Sequence, residues 1–362
     1  MRVLILSADI GEGHDLPARA LRDAIAASDP SVEVSIRDAL DIAGPLVRGM
    51  VRDGAEVILD RVVWLFDLQY WLIARFPPTR VLAGALAMLL AGRRLRRAIA
   101  QDRPDVVVST YPGATHVLGG LRRRGRIGVP VVSAITDLAA LRFWSHPGCD
   151  VHLVIHPESA AEIRSIAGAD ASIAHVRGLT TAEFEQPADG ARMREELGIP
   201  GGAPVVVVSG GGWAVGDLRG AVEAALQAAG DVRVVALCGR NAAVRDRLTA
   251  AFGTDPRVVV LGFTDRMSDV LAAADVLIHS TAGLTVLEAL IRGARVISYG
   301  WGVGHIRLNN QAYVRFGLAD VVSERPQLTA AVQRALASPR RPDAAYAELP
   351  RAADLVLALA RR

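Results

Sequence analysis

The sequence predicts an α/β protein of two domains, each a parallel sheet flanked by helices, and three observations point there. The chain has 362 residues, more than one hydrophobic core usually organises. Short apolar runs alternate with helical periodicity along most of its length. One pattern, an apolar strand running into a glycine-rich turn and then an amphipathic helix, stands near the start of each half.

The first half opens with Val3 to Leu6, then Ser7-Ala8-Asp9-Ile10-Gly11-Glu12-Gly13-His14, then a helix carrying Leu16, Ala20, Leu21, Ala24 and Ile25. Strands are expected over Val32 to Ile36, Val106 to Ser109, Val131 to Ile135 and Val151 to Ile155, a spacing that favours parallel pairing. The pattern restarts with Val205 to Val208, the turn from Ser209 through Gly210, Gly211 and Gly212 to Asp217, and a helix through Val222, Ala225 and Leu226. Strands over Val232 to Leu237, Val258 to Val260, Val276 to Ile278 and Val296 to Tyr299 continue it. The halves meet near residues 176–204, where Gly178 and Gln186-Pro187 supply linker chemistry. Open parallel sheets bind ligands at the carboxyl ends of their strands. Two such domains facing each other would make a cleft with glycine turns on both walls.

Residues 275–304 are the most informative stretch. The apolar run Val276 to Ile278 stops at the small residues Ser280 to Gly283, after which Leu284, Val286, Leu287, Ala289, Leu290 and Ile291 recur at helical spacing up to Gly293. A helix entered through Gly283 and Thr285 offers unpaired N–H groups and a positive dipole end, where a phosphate settles. Glu288, one turn inside, would repel phosphates but can accept from both hydroxyls of a ribose. The combination reads as a nucleotide site; the plainer alternative is an ordinary β-α-β unit with a solvated glutamate.

Composition excludes several classes. With 51% hydrophobic residues and no biased tract the chain is globular. All 41 basic residues are Arg, yet the net charge is only +3, so the chain as a whole is no polyanion binder and no nucleic-acid partner is expected. Cys149 and Cys238 lie far apart and near no ligand pattern, so neither a disulfide framework nor a zinc site is expected. A reducing cytoplasm fits, and the N-terminus, entering a strand at once, suggests no secretory leader. His152, His156 and His175 are scattered, the first two beside one expected strand with no third ligand. No G-x-S-x-G elbow occurs, and neither glycine turn forms G-x-G-x-x-G, although Asp38 lies just beyond the second strand.

Residues 44–100 break the alternation. Trp64, Phe66, Tyr70, Trp71 and Phe76 fall close to Arg61, Arg75 and Arg80. The apolar run Val81 to Gly92 is 12 residues, short of the roughly 20 that cross a bilayer. It ends in Arg93-Arg94-Leu95-Arg96-Arg97, and a second bunch spans Arg122 to Arg126. Two readings stay open: a helix lying at an anionic membrane surface, or inserted core helices with a solvated basic end.

Several segments together carry a resemblance. They are G-E-G-H after the first strand, W-L-F-D-L-Q-Y-W (Trp64 to Trp71), Thr136-Asp137 followed by Trp144 and His146, S-G-G-G opening the second half, C-G-R-N (Cys238 to Asn241), L-G-F-T-D-R-M (Leu261 to Met267) and S-T-A-G-L-T-V-L-E-A-L-I-R-G. In this order and spacing the chain resembles the GT-B glycosyltransferases of the monogalactosyldiacylglycerol synthase and processive diacylglycerol glucosyltransferase group, akin to the UDP-GlcNAc transferase that completes lipid II. The resemblance implies a GT-B fold of two Rossmann-like domains, residues 1–178 for the acceptor and membrane and residues 179–362 for the UDP-sugar, the last helix being one that can pack back on the first domain.

By the same resemblance, Glu288 takes the ribose hydroxyls, the Gly283-Leu284-Thr285 turn the diphosphate, and Gly211 and Gly212 let backbone approach the donor. Phe263 lies against the uracil and His305 faces the sugar. His14 and Asp137 are the catalytic candidates, His14 as the base that takes the proton of an acceptor hydroxyl. Asp137 is its competitor or its orienting partner; the plainer role for His14 is a helix cap or phosphate contact. No D-x-D pair stands in a suitable loop, so no metal and no cofactor are expected, the UDP-sugar being the donor substrate. Implied too are a lipid acceptor, an anionic membrane surface as partner and a peripheral place on the inner face of the cell membrane. The chain departs from the group's pattern at Gly304-His305-Ile306-Arg307-Leu308-Asn309-Asn310, where G-Q-E-x-E-N-A is common, at Leu141, near which a histidine is usual, and at the junction G-L-T-T. A second function therefore stands beside the first: transfer to a soluble acceptor, or nucleotide-sugar binding without turnover.

Overall fold

The computed structural model describes residues 1–10, 12–53, 72, 76–300, 302 and 304–362. The chain divides into two compact units, one comprising Met1–Ala182, Val303–His305 and Leu349–Arg362, the other Glu183–Gly302 and Ile306–Glu348.

The first unit holds the strands β1 (Arg2–Ser7), β2 (Glu33–Asp38), β3 (Val106–Ser109), β4 (Val131–Ile135), β5 (Val151–Val154) and β6 (Ile173–His175). They form one parallel sheet in the order β2-β1-β3-β4-β5-β6. The strands are runs of Val, Ile and Leu because both faces of the sheet are covered; Leu4, Leu6 and Val107 are buried with Leu95, Leu118 and Leu121 of the covering helices.

The second unit repeats the plan with β7 (Val205–Ser209), β8 (Arg233–Leu237), β9 (Val258–Leu261), β10 (Val276–His279), β11 (Arg295–Tyr299) and β12 (Asp320–Val322). Their parallel order is β12-β11-β10-β7-β8-β9, the order of a dinucleotide-binding Rossmann sheet. Val206, Val208, Val234 and Ile278 pack there against Val222, Leu328 and Val332. β6 and β12 are absent from the sequence expectation. Each is three residues long at a sheet edge, too short for periodicity to register.

Two elements differ from expectation in an instructive way. The helix after β1 begins at Glu12, so His14 lies inside its first turn and does not end the loop before it. Asp38 is the last residue of β2, and its carboxylate accepts the N–H groups of Leu40 and Asp41 as the cap of the next helix.

The apolar run Val81 to Gly92 belongs to a helix spanning Pro77–Asp102, started by proline at its first turn. The core reading holds for its second half, while the first half leaves apolar residues exposed. Ala91, Leu95, Ala98 and Ile99 are buried, whereas Val81, Leu82 and Leu89 are 68%, 67% and 74% exposed. Among the described residues no helix is long and apolar enough to cross a membrane. The aromatic segment Trp64 to Trp71, with Arg61 and Arg75, lies outside the described residues. The last helix, Ala352–Ala360, counts with the first unit, where the Arg177 N–H donates to the Pro350 carbonyl at 3.1 Å and the Ala352 N–H donates to the Arg177 carbonyl at 2.9 Å.

Candidate functional site

In the second sheet the strand order reverses between β7 and β10, and ligands of such sheets bind beyond the carboxyl ends at that reversal. Two loops meet there. The glycine turn after β7 carries Gly211 and Gly212, and the turn after β10 leads through Gly283 into the helix Leu284–Arg292. They touch through the Ser280 hydroxyl, which donates to the Val215 carbonyl. Gly283 has φ +92°, a conformation that side chains resist. Its N–H lies 3.3 Å from the Tyr313 hydroxyl, leaving the N–H groups of Leu284 and Thr285 to head the helix. That end suits an anion.

Glu288 lies on this helix and is 7% exposed, a covered carboxylate and not the solvated glutamate of the plainer reading. Phe263, after β9, is 57% exposed, and the Arg240 guanidinium sits over its ring, 4.2 Å from the centroid. Thus Gly211, Gly212, Gly283, Leu284, Thr285, Glu288 and Phe263 all lie in turns or a helix start at the carboxyl edge of one sheet. His305 opens the helix His305–Phe316, is exposed, and counts with the first unit. Ile306 belongs to the second unit, where its side chain fills the space beside Gly302.

In the first sheet the reversal lies between β1 and β3, and His14 and Thr110 follow those two strands. Nδ1 of His14 lies 2.9 Å from the Thr110 carbonyl oxygen. A carbonyl only accepts, so Nδ1 carries the hydrogen, and Nε2 of the neutral ring holds a free lone pair. Tyr111 and Trp144 wall the imidazole, ring centroids 5.3 and 5.8 Å away. Burial is the largest influence on His14 and holds its pKa below the usual 6.5, against Asp137, whose charge favours the imidazolium. Asp137 accepts the Trp144 indole N–H at 2.8 Å. The structure therefore brings His14 and Asp137 into one electrostatic group. Leu141 is fully buried among Ile135, Trp144, Val154 and Ile163, a core residue whose departure from the family pattern is absorbed by packing.

Sequence reasoning gave no role to Thr110, Tyr313 or Arg240. The first acts through a backbone carbonyl, which has no sequence signature. Tyr313 is met only when its helix folds beside the Gly283 turn, and Arg240 is visible only as a letter in C-G-R-N. Among the described residues no group of three or more His, Cys, Asp or Glu is placed to hold a metal ion. His152 and His156 do not pair as ligands: His152 bonds the Ser172 carbonyl and the His146 N–H, and His156 falls just beyond β5.

Two Rossmann-like units of this kind define the GT-B fold, and the chain superposes on a glycosyltransferase of that class over nearly its whole length. The Streptomyces sp. SF2575 glycosyltransferase SsfS6, solved with thymidine diphosphate, matches with a TM-score of 0.60 at 16% identity, covering 100% of both chains. Residues 14–180 match the family model of monogalactosyldiacylglycerol (MGDG) synthase, so the resemblance read from the motifs is borne out. Among curated relatives, the processive diacylglycerol beta-glucosyltransferase of Bacillus subtilis (strain 168) is 25% identical over 252 residues, 68% of this chain and 65% of that protein. The enzyme of the same name from Staphylococcus epidermidis (strain RP62A) is 25% identical over 201 residues, 55% of this chain and 51% of its own. The chain thus aligns with about half to two thirds of the length of these relatives.

Proposed function

We propose that the chain is a UDP-sugar-dependent hexosyltransferase that inverts the anomeric carbon and delivers the sugar to a lipid hydroxyl at the cytoplasmic face of the cell membrane, with no metal ion. The observation that carries this reading is the meeting of the Gly211-Gly212 loop with the Gly283 helix start at the strand reversal of the second sheet. That is where a diphosphate finds free N–H groups and a helix dipole.

On this reading the N–H groups of Leu284 and Thr285 hold the diphosphate and stabilise the charge that grows as it leaves. Glu288 accepts from the ribose hydroxyls. Nε2 of His14 takes the proton of the acceptor hydroxyl while its oxygen bonds the anomeric carbon and the bond from that carbon to UDP breaks. The Thr110 carbonyl keeps Nε2 the basic nitrogen throughout. A lipid acceptor is supported by the names of the relatives and by the exposed stripe of Val81, Leu82 and Leu89 leading into Arg93, Arg96 and Arg97. Apolar residues followed by arginines suit a helix lying on anionic lipid.

Release of UDP from UDP-glucose, UDP-galactose and UDP-GlcNAc, measured with and without diacylglycerol liposomes, tests the proposal. Liposome-dependent release from one of them is expected. Release that needs only a soluble acceptor, or none at all with UDP still bound, would replace it with the soluble-acceptor or binding function.

A further inference from the structure

We infer that Ser109 is a positioning residue for the proposed base: its hydroxyl clamps the peptide joining Thr110 to Tyr111, and through that peptide it fixes which nitrogen of His14 carries the hydrogen. This rests on the reading of His14 as the base and adds to it the group that keeps the lone pair on Nε2.

The geometry starts from one planar unit. The Thr110 carbonyl and the Tyr111 N–H belong to the same peptide, and in a trans peptide they point to opposite sides of the chain. On one side the carbonyl oxygen lies 2.9 Å from Nδ1 of His14. On the other the Tyr111 N–H donates to the Ser109 hydroxyl oxygen at 3.3 Å, and the same hydroxyl donates to the Tyr111 carbonyl at 2.8 Å. One side chain thus holds both backbone polar groups of Tyr111. A peptide held at its N–H swings its carbonyl away only by breaking that bond.

The clamp sits where the backbone offers least support of its own. β3 ends at Ser109, and the Thr110 N–H still follows the sheet, donating to the Leu6 carbonyl of β1 at 3.0 Å. The chain then turns into the helix Pro112–Arg123, whose first residue has no N–H to give. The peptide facing His14 therefore lies between the last sheet bond and the first helix bond, in which the Thr115 N–H donates to the Tyr111 carbonyl at 3.0 Å. A serine hydroxyl bonding the backbone two residues ahead closes such a step. The Thr115 hydroxyl lies 2.9 Å from Ser109 Oγ. Ser109, Thr110 and Thr115 are each 0% exposed, so solvent does not compete for these bonds.

A neutral imidazole carries one hydrogen, and the bond made by one nitrogen decides which of the two it is. Only with the hydrogen on Nδ1 can Nε2 accept a proton from an acceptor hydroxyl. Loosening the peptide should lower the fraction of molecules ready to react, a loss in kcat and not in donor binding.

Long-range proton–nitrogen NMR of the full chain with 15N-labelled histidine tests this without relying on activity, the His14 signals being assigned by their absence in His14→Asn. Native His14 should show the hydrogen on Nδ1 at neutral pH. Ser109→Ala should bring in the Nε2–H form and lower kcat by about two- to tenfold, the factor one hydrogen bond controls, with KM for the donor unchanged. The Thr110 carbonyl favours the imidazolium, so the acidic limb of kcat/KM should also move to lower pH. Asp137, Asp15 and His305, the charged groups that act on His14, are untouched by the change. Thr115→Val removes a hydroxyl of the same buried network but keeps both Ser109 contacts, and should leave the tautomer and the limb in place. If Ser109→Ala does not fold, Ser109→Cys, of similar size with only a weakly donating thiol, takes its place with the same shifts expected. A folded Ser109 variant whose His14 keeps the native tautomer overturns the inference, as does a rate loss shared equally by Thr115→Val with the tautomer unchanged in both. In either case only this inference falls. If the native ring carries its hydrogen on Nε2, the reading of His14 as base falls with it.

Discussion

Nδ1 of His14 lies 2.9 Å from the carbonyl oxygen of Thr110, and that one bond decides which nitrogen of the imidazole can act as a base. If His14 takes the acceptor proton, His14→Ala should cut turnover by roughly 10²–10⁴-fold with UDP affinity little changed. His14→Asn keeps a hydrogen-bonding group but cannot accept the proton, and it should stay slow. Steady-state rates and UDP titration on both variants check this. A fast Asn variant would make His14 a positioning group and move the base to Asp137.

The pH profile follows from the direction of the His14 shift. Burial lowers its pKa below 6.5, so the neutral ring that can act as base is already dominant at pH 7, and kcat/KM should fall only as pH drops below about 6.5. The Asp137 charge favours the imidazolium. Asp137→Asn removes that charge while keeping an acceptor for the Trp144 indole, so the acidic limb should move to lower pH. A limb that moves upward contradicts the assigned sign, and complete loss of activity would make Asp137 the base.

Glu288 tests the donor site. If Glu288, a residue 7% exposed, accepts from both ribose hydroxyls, Glu288→Ala should weaken UDP binding by about 1.5–3 kcal/mol. Circular dichroism establishes that the variant is folded. An unchanged Kd in a folded variant would place the ribose elsewhere.

The exposed stripe can be separated from the arginines that follow it. Leu82→Ser with Leu89→Ser should reduce co-sedimentation with anionic vesicles at every salt concentration, because burial of apolar area is lost. Arg93, Arg96 and Arg97 changed to Gln should reduce it by about 1 kcal/mol each, and only at low salt. Arg94 is left in place because its guanidinium donates to the Ala43 carbonyl. Vesicle binding equal to the native chain in both variants would return the helix to a purely structural role.

Much of the fold was legible in the chain. Ten of the twelve strands of the two sheets coincide with apolar runs read from sequence, because a strand buried on both faces must be built of Val, Ile and Leu. The Gly283 turn was legible for a similar reason: Gly283 takes a positive φ and its helix needs an apolar face, and both are local demands. β6 and β12 escaped because three residues carry no period. The start of the first helix was misplaced by three residues, since Glu12, Gly13 and His14 read as turn until their helix is seen.

What the sequence determined by itself is therefore the pair of sheets, the glycine loops that end their first strands, and the helix start where an anion can sit, all consequences of what a short stretch does on its own. Tertiary structure alone decided that His14 meets the Thr110 carbonyl, that Trp144 holds Asp137, that Tyr313 reaches Gly283 and that Arg240 lies over Phe263. Apart from Trp144 and Asp137, seven residues apart in the connection between β4 and β5, these pairs join residues on different elements. Their distances depend on strand order, and parallel strands can be ordered in many ways by the same local pattern until the whole sheet has paired.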